Sequence, residues 1–221
     1  LEELKEAFKH AGYSEDDYEI ILVDSSTDRT PEIGREMGAR VINEPRKGYG
    51  RAYKTGFQHA QGDVICTLDG DMTYPASDLP ALIRHLEEHN LDFITCDRLS
   101  TLKKGTMSGS HRFGNWVLSA TARILFRIKL KDSQSGMWIF RRRILELIDL
   151  TDDGMPLSEE IKIEAFTHPD IRAEELKVDY RIRKGDVKLN TWGDGTRNLK
   201  FLFKKRTMLR KRRGRVDERG E

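Results

Sequence analysis

Short apolar runs alternate with amphipathic segments along most of the chain. The runs are rich in β-branched residues and end at polar positions, which is typical of buried strands, whereas the segments between them carry apolar residues at helical spacing. The predicted strands are residues 18–23, 39–42, 64–68, 91–96, 137–140 and 175–182. The predicted helices are residues 1–11, 30–38, 47–60, 78–89, 111–128 and 157–166. In the helix at 111–128, Phe113, Trp116 and Ile124 fall on one side.

This alternation predicts an α/β fold with a mostly parallel sheet that is covered by helices on both faces. In such sheets, ligands bind beyond the carboxyl ends of the strands. Four charged residues lie just beyond the carboxyl ends of predicted strands: Asp24, Asp69, Asp71 and Arg98. We therefore expect a binding site at that edge. Residues 99–110, which are polar and without periodicity, have the length of a lid over it.

The composition fits one globular domain with a distinct C-terminal segment. The chain has 221 residues, 34% of them charged and 37% hydrophobic, and its net charge of +2 is unevenly distributed. Residues 199–221 hold ten Lys or Arg against three Asp or Glu. We predict a domain at 1–198 and a basic amphipathic tail at 199–221 that lies on an anionic bilayer, with a solvated helix end as the alternative. Nucleic acid is disfavoured as a partner, because no base-reading module accompanies the charge.

The two cysteines, Cys66 and Cys96, lie in apolar strand-like runs. We expect buried thiols in a reducing cytoplasm rather than a disulfide. No run of 18 apolar residues occurs in the sequence, so we expect membrane contact to be peripheral.

Two polar motifs point to a nucleotide and a metal. Asp69 and Asp71 flank Gly70 at a strand end, where both carboxylates could face one hard cation such as Mg²⁺ or Mn²⁺. The alternative is an ordinary acidic turn. The residues that could form a nucleotide pocket on the same edge are Asp24, Ser26, Lys47 and Gly48. A plain strand-to-helix turn at 47–50 remains the other interpretation.

Six segments carry a family resemblance that runs in order from Tyr18 to Leu202. They are EIILVDSSTDRT, KGYGRAYKTGFQHAQGDVICTLDGDMTYP, RFGN, DSQSG, RKGDVKL and DGTRNLKFL. Together they resemble the dolichyl-phosphate hexose (mannose or glucose) transferase branch of family 2 glycosyltransferases. The resemblance implies a GT-A fold, a nucleotide diphosphate-sugar donor and a polyprenyl phosphate acceptor at the inner face of a membrane.

The resemblance also implies roles for individual residues. Asp24, Ser26, Lys47, Gly48 and Asp69 are expected at the nucleotide, and Asp69 and Asp71 at the metal. Asp71, Arg98, Arg112, Asp132, Gln134 and Ser135 are expected to act in catalysis, with Arg183 and Lys188 binding the acceptor. Chemistry supports the acceptor group independently, because a phosphate monoester needs cations or amide donors. For each arginine the alternative is a surface salt bridge.

The predicted reaction is a metal-dependent hexosyl transfer with inversion, which needs no general base because the acceptor phosphate is already ionised at neutral pH. A sugar hydroxyl acceptor would need a carboxylate base, and the candidates are Asp132, Glu159 and Glu160. A non-catalytic membrane-surface module and a nucleotidyltransferase are further alternatives.

Three departures from the family pattern bear on these roles. Thr73 and Val187 replace the usual Gln and Ser. The family's first strand, with its Pro-x-x-Asn-Glu motif, is not found before Leu1. We therefore expect this chain to be a trimmed form of an active protein.

Overall fold

The computed structural model describes residues 1–103, 106–183 and 191–217, and in the last range the side chains from residue 193 to residue 212. The strands are β1 (Ile21–Asp24), β2 (Arg40–Asn43), β3 (Val64–Cys66), β4 (Phe93–Asp97), β5 (Trp138–Arg141) and β6 (Ala173–Lys177). The helices are α1 (Glu2–His10), α2 (Thr30–Glu36), α3 (Tyr49–His59), α4 (Leu79–Glu88), α5 (Gly109–Phe126), α6 (Leu157–Thr167) and α7 (Thr191–Asp217). The α/β class predicted from the alternation is confirmed.

The strands form two sheets. β1 and β2 pair in parallel, while the other four strands follow the order β3-β5-β4-β6. β5 runs antiparallel to both β3 and β4, whereas β4 and β6 are parallel. The larger sheet is therefore mixed, because β5 returns between two strands that run the opposite way.

Successive residues of β5 point to opposite faces of the sheet, and each face has its own core. Ile139 packs with Ile94 and the residues of α4 and α1. Trp138 and Phe140 pack on the other side, against Phe57 of α3 and Ile161 of α6. Helices thus cover both faces, as predicted.

The cysteines are free thiols. Burial raises the pKa of the Cys66 thiol to about 12, so it stays protonated at neutral pH.

The C-terminal helix α7 packs into the domain. Leu202 and Leu209 lie in a third apolar cluster with Leu118 and Ala122 of α5. The predicted boundary after residue 198 falls inside α7. The expectation that the tail at 199–221 turns its apolar residues to a bilayer is therefore wrong for Leu202 and Leu209, because both are buried against α5. Within the described residues, none of the helices has the length and apolar composition of a membrane-spanning segment.

Candidate active site

Asp69 and Asp71 follow β3, in the loop where the acidic pair was predicted. Asp71 Oδ1 accepts hydrogen bonds from the amide of Thr73 over 3.0 Å and from its hydroxyl over 2.6 Å. Its other oxygen, Oδ2, lies 2.8 Å from the guanidinium of Arg183. Met72, which stands between Asp71 and Thr73, adopts a left-handed conformation with φ 64° that turns the chain tightly. The loop thus holds the Asp71 carboxylate in a fixed position.

Asp69 lies against α3 and the segment before β5. Its Oδ1 accepts a hydrogen bond from the Tyr53 hydroxyl over 3.0 Å. A Cβ on Gly136 would lie 3.3 Å from both Asp69 oxygens and 2.6 Å from the Tyr49 hydroxyl. Only glycine fits at position 136. Burial, and then the charge of Asp71, raise the pKa of Asp69 above its usual value, so added positive charge would be favourable here.

The turn at residues 47–50 packs closely on the segment 152–154. A Cβ on Gly48 would lie 2.5 Å from the Asp153 carbonyl oxygen, and one on Gly50 would lie 2.7 Å from that of Asp152. Lys54 lies 2.6 Å from the Asp153 carboxylate. The glycines thus allow a close backbone approach, whereas the side chain of Lys47 is exposed. This close packing accounts for the glycine at position 48, and the nucleotide role of Lys47 and Gly48 stays a prediction.

Asp24 ends β1 and organises a local turn. Its Oδ2 accepts hydrogen bonds from the amide and the hydroxyl of Ser26 over 3.0 and 2.9 Å. The Ser26 hydroxyl is also 2.9 Å from Asp28 Oδ1. Among the residues that the structure describes, no hydrogen bond or ion pair joins this turn to Asp69 or Asp71. The nucleotide role of Asp24 and Ser26 stays a prediction.

Arg98 and Asp132 form a buried, bidentate ion pair. Arg98 Nε donates to Asp132 Oδ2 over 2.7 Å and its Nη2 to Oδ1 over 2.9 Å. Burial opposes ionisation of the carboxyl, but the charge and hydrogen bonds of Arg98 keep the pKa of Asp132 below its usual value. The structure thus brings these two predicted residues together, each neutralising the other.

Lys162 of α6 supports the turn at residues 132–136 from beneath. Its Nζ donates to the main-chain oxygens of Ser135, Ser133 and Asp132 over 2.6, 2.8 and 3.2 Å. Burial lowers the pKa of Lys162 from its ordinary 10.5 to about 7. The hydrogen bonds of the Lys162 amino group thus hold the backbone of the turn in place.

The turn itself is mostly inaccessible. The side chains of Asp132, Ser133 and Ser135 are fully buried, and the Ser135 hydroxyl lies 3.3 Å from the Tyr74 hydroxyl. Gln134 is half-buried; its Nε2 donates to Glu159 over 2.8 Å and its Oε1 accepts from Asn198 over 2.6 Å. Asp132 and Ser135 are therefore placed to position the turn rather than to touch a ligand, and Gln134 alone extends from it toward the surface.

The two glutamates considered as alternative bases differ in environment. Glu160 Oε2 accepts from the amides of Thr151 and Asp152 over 2.9 and 3.0 Å, while Oε1 pairs with Lys205 over 2.8 Å. Glu159 is fully buried, and burial raises its pKa well above the usual range. Both Glu160 oxygens are therefore occupied by donors, and burial favours the protonated form of Glu159.

The remaining predicted cations are distributed as follows. Arg183 contacts Asp71, as described, and is half-buried. Arg112 is exposed in the first turn of α5. Lys188 lies outside the described residues.

Sequence reasoning missed three residues that shape this site: Tyr49, Tyr53 and Lys162. Tyr49 and Tyr53 stand four residues apart, so they share a face of α3 with Phe57, and their rings are 4.8 Å apart. That aromatic stripe, directly after a glycine turn, was the available signal. Lys162 stands between Ile161 and Ile163 in a helix that is buried on every side, and its burial has no signature in the periodicity.

Comparison with known proteins places the chain among sugar-transferring enzymes. The sequence model described as "Glycosyl transferase family 2" matches residues 1–148. A relative from Haloferax volcanii named "Low-salt glycan biosynthesis hexosyltransferase Agl6" is 35% identical over 187 residues, which are 84% of this chain but 45% of the relative. A second relative from that organism, named "Dolichyl-phosphate hexose transferase", is 34% identical over 189 residues, covering 84% of this chain and 80% of the relative.

A solved structure shares the fold. Glucosyl-3-phosphoglycerate synthase from Mycobacterium tuberculosis, in complex with Mn²⁺, UDP and glucosyl-3-phosphoglycerate, superposes with a TM-score of 0.66 at 19% identity. The match covers 85% of this chain and 68% of that chain. The predicted GT-A fold class is confirmed.

Proposed function

Because the chain belongs to glycosyl transferase family 2, we propose that it transfers a hexose from a nucleotide diphosphate-sugar to a polyprenyl phosphate, with a divalent metal and with inversion. The name of the second Haloferax relative, "Dolichyl-phosphate hexose transferase", supports this acceptor class. The chain spans about half the length of the first relative, so the activity assigned here concerns this domain.

A divalent metal, Mg²⁺ or Mn²⁺, fits the acidic pair. Asp69 and Asp71 offer carboxylate oxygens, and their mutual repulsion contributes to the raised pKa of Asp69. A bound cation would relieve that repulsion. Within the described residues, no group of three His, Cys, Asp or Glu side chains could hold a metal. Such a site would thus be completed by water and the donor's phosphates, as Mg²⁺ sites commonly are. The metal would supply charge stabilisation for the departing diphosphate.

Our choice of acceptor depends on whether any of the three candidate carboxylates can accept a proton. Asp132 is neutralised by Arg98. Glu160 accepts hydrogen bonds from two amides and pairs with Lys205, and burial raises the pKa of Glu159, which favours its protonated form. A hydroxyl acceptor would need one of these carboxylates to take its proton. A phosphate monoester brings its own ionised oxygen, so this environment favours it.

The acceptor phosphate needs accessible cations near the acidic loop. Arg183 is half-buried and already beside Asp71, and Arg112 is exposed at the start of α5. We assign these two to the phosphate, together with Lys188. Arg98, Asp132, Gln134 and Ser135 hold the adjacent turn in place. Asp24, Ser26, Lys47 and Gly48 are assigned to the nucleotide.

The proposed transfer involves the following bond changes. One oxygen of the acceptor phosphate attacks the anomeric carbon from the face opposite the leaving group. The bond between that carbon and the diphosphate oxygen breaks, and the electron pair leaves with the nucleoside diphosphate. One displacement inverts the configuration at this carbon. Because the acceptor is membrane-embedded, we place the domain peripherally at the cytoplasmic face of a membrane.

Radiolabel transfer tests the proposal. UDP-glucose, UDP-N-acetylglucosamine and GDP-mannose are each offered with dolichyl phosphate and either Mg²⁺ or Mn²⁺. Label should enter the lipid phase from one donor, and both EDTA and Asp71→Ala should abolish it. Asp16→Asn, which changes an exposed carboxylate, serves as the matched control and should transfer normally. Transfer to soluble sugars with none to lipid would overturn the acceptor assignment.

A further inference from the structure

Helix α5 has two apolar faces, and only one of them is buried. Leu118, Ala122 and Phe126 pack into the core. Residues 113, 116, 117, 120 and 124 recur at helical spacing on the opposite side. There the exposed fractions of Phe113, Trp116 and Ile124 are 67, 57 and 77%. Large apolar side chains that gather on one exposed face usually mark a contact surface.

The stretch of sequence that contains α5 carries charged residues of one sign only. Residues 98–131 include eight Lys or Arg and no Asp or Glu, although 34% of the chain is charged. Arg112, Arg127 and Lys129 are exposed within this stretch. We call the exposed apolar residues Phe113, Trp116 and Ile124, with these cations, the α5 outer face. Aromatic residues beside Lys and Arg are the composition that places a helix at the interface of an anionic bilayer.

We propose that the α5 outer face docks the domain on an anionic lipid bilayer, an inference that rests on the proposed function for its acceptor. A second copy of the chain fits less well. A two-fold contact through α5 would bring this cationic surface against itself, and like charges placed opposite one another oppose association. Each exposed cation near an anionic surface is instead attracted to it.

The position of α5 relative to the proposed active site agrees with this docking. The Ser119 hydroxyl, on the buried side of α5, accepts a hydrogen bond from the amide of Ser133 over 2.9 Å. It also lies 3.2 Å from the Ser133 hydroxyl. A single helix diameter, about 10 Å, therefore separates the turn at residues 132–136 from the α5 outer face. The α5 outer face is therefore on the far side of the helix that packs against this turn.

Vesicle flotation tests the surface without relying on catalysis. The parent chain should float with vesicles that contain phosphatidylglycerol and much less with pure phosphatidylcholine. The variant Phe113→Ser, Trp116→Ser, Ile124→Ser should bind at least about tenfold more weakly, because each side chain loses its apolar burial. The matched control is Ile33→Ser, Leu147→Ser, which alters exposed apolar residues elsewhere and should float like the parent.

Transfer assays separate this proposal from the proposed function. With a short-chain, water-soluble polyprenyl phosphate the triple variant should keep the parent's rate, while its transfer to dolichyl phosphate in vesicles should fall. A parent that fails to float, or a variant that floats equally well, overturns the docking surface whatever the transfer data show. A variant that becomes monomeric while the parent is dimeric, with flotation unchanged, assigns the face to a second copy and also overturns it. A parent that floats yet transfers to neither acceptor overturns the proposed function alone.

Discussion

Arg183 Nη2 lies 2.8 Å from Asp71 Oδ2, so a residue assigned to the acceptor phosphate already occupies one oxygen of an assigned metal ligand. In the chain without ligands, the guanidinium provides the counter-charge that a divalent cation would otherwise provide. In the proposed mechanism, a metal that binds Asp71 would displace Arg183. The freed guanidinium would then be available to bind the acceptor phosphate.

This exchange predicts opposite effects from one substitution. Arg183→Gln should tighten Mn²⁺ binding by up to about fivefold, because a partly exposed ion pair worth about 0.2–1 kcal/mol no longer competes. The KM for polyprenyl phosphate should rise. Titration calorimetry with Mn²⁺ and acceptor kinetics measure the two effects. Arg181→Gln is the control, since Arg181 pairs with Glu3 instead. Weaker Mn²⁺ binding in Arg183→Gln would contradict the exchange.

Glu159→Gln separates the two acceptor classes. Burial raises the pKa of Glu159 and favours the protonated acid, which the amide mimics closely, so kcat should stay within about threefold of the parent. A general base contributes about 10²- to 10⁴-fold, so its loss would be unmistakable. Steady-state transfer to dolichyl phosphate is the measurement, with Asp71→Ala as the inactive reference. A hundredfold fall would restore the hydroxyl-acceptor alternative.

Removing one partner of the buried Arg98–Asp132 pair should lower stability strongly. Asp132→Asn leaves a buried guanidinium without its counter-charge, and breaking such a pair costs about 3–5 kcal/mol. Urea unfolding of Arg98→Leu, of Asp132→Leu and of the double variant gives the coupling free energy between the two residues. Asp179→Asn, in an exposed pair with Lys103, is the control and should change stability by less than about 1 kcal/mol. Additive effects at Arg98 and Asp132 would argue against coupling.

Lys162 should make stability depend on pH. Its pKa falls from 10.5 to about 7 on folding. Between these values the unfolded chain binds a proton that the native chain has released, so the free energy of unfolding rises with pH. The rise is at most about 1.4 kcal/mol per pH unit for one group. Urea titrations at pH 7.0 and 8.0, both below the ordinary thiol pKa of about 8.5, should show this rise in the parent.

The comparison that isolates Lys162 is Lys162→Met, in which the increase should disappear. Lys129→Met, at an exposed lysine, should retain it. An identical slope in Lys162→Met and the parent would show that the pH dependence comes from other groups.

Gly136→Ala should damage the metal site through a steric clash. The added Cβ would lie 2.6 Å from the Tyr49 hydroxyl and 3.3 Å from both Asp69 oxygens. Displacement of Asp69 should weaken Mn²⁺ binding about tenfold or more, corresponding to roughly 1.4 kcal/mol. Tyr49→Phe in the same chain removes the closest atom and should restore part of the affinity. Gly114→Ala, whose Cβ meets nothing within 4 Å, is the control.

The order of elements and the acidic loop could be predicted because both depend on local sequence. Short apolar runs and turn residues located five of the six strands to within a few residues. The exception is β6, which ends at Lys177 instead of Ile182. The orientation of β5 could not be predicted, because pairing direction is decided by long-range packing of Trp138 and Phe140.

The candidate site was predicted in part for the same reason. Asp69 and Asp71 are adjacent in sequence, so their proximity follows from the chain itself. The pairing of Arg98 with Asp132 joins residues that are 34 positions apart. The donation of Lys162 to the turn's carbonyls joins α6 to a preceding loop. Burial converts both from surface charges into interior ones, and a single sequence carries no direct signal of that conversion.

The pairing of Lys205 with Glu160 and Glu164, over 2.8 and 2.7 Å, limits how this protein can be altered. All three side chains are buried, so the cation that neutralises two carboxylates of α6 comes from α7. A chain shortened before residue 205, or one whose α7 is exchanged for an unrelated helix, would leave two buried acids without a counter-charge. The C-terminal helix is therefore not an interchangeable module, and sequence variation there is restricted to outward positions such as Lys204 and Lys211.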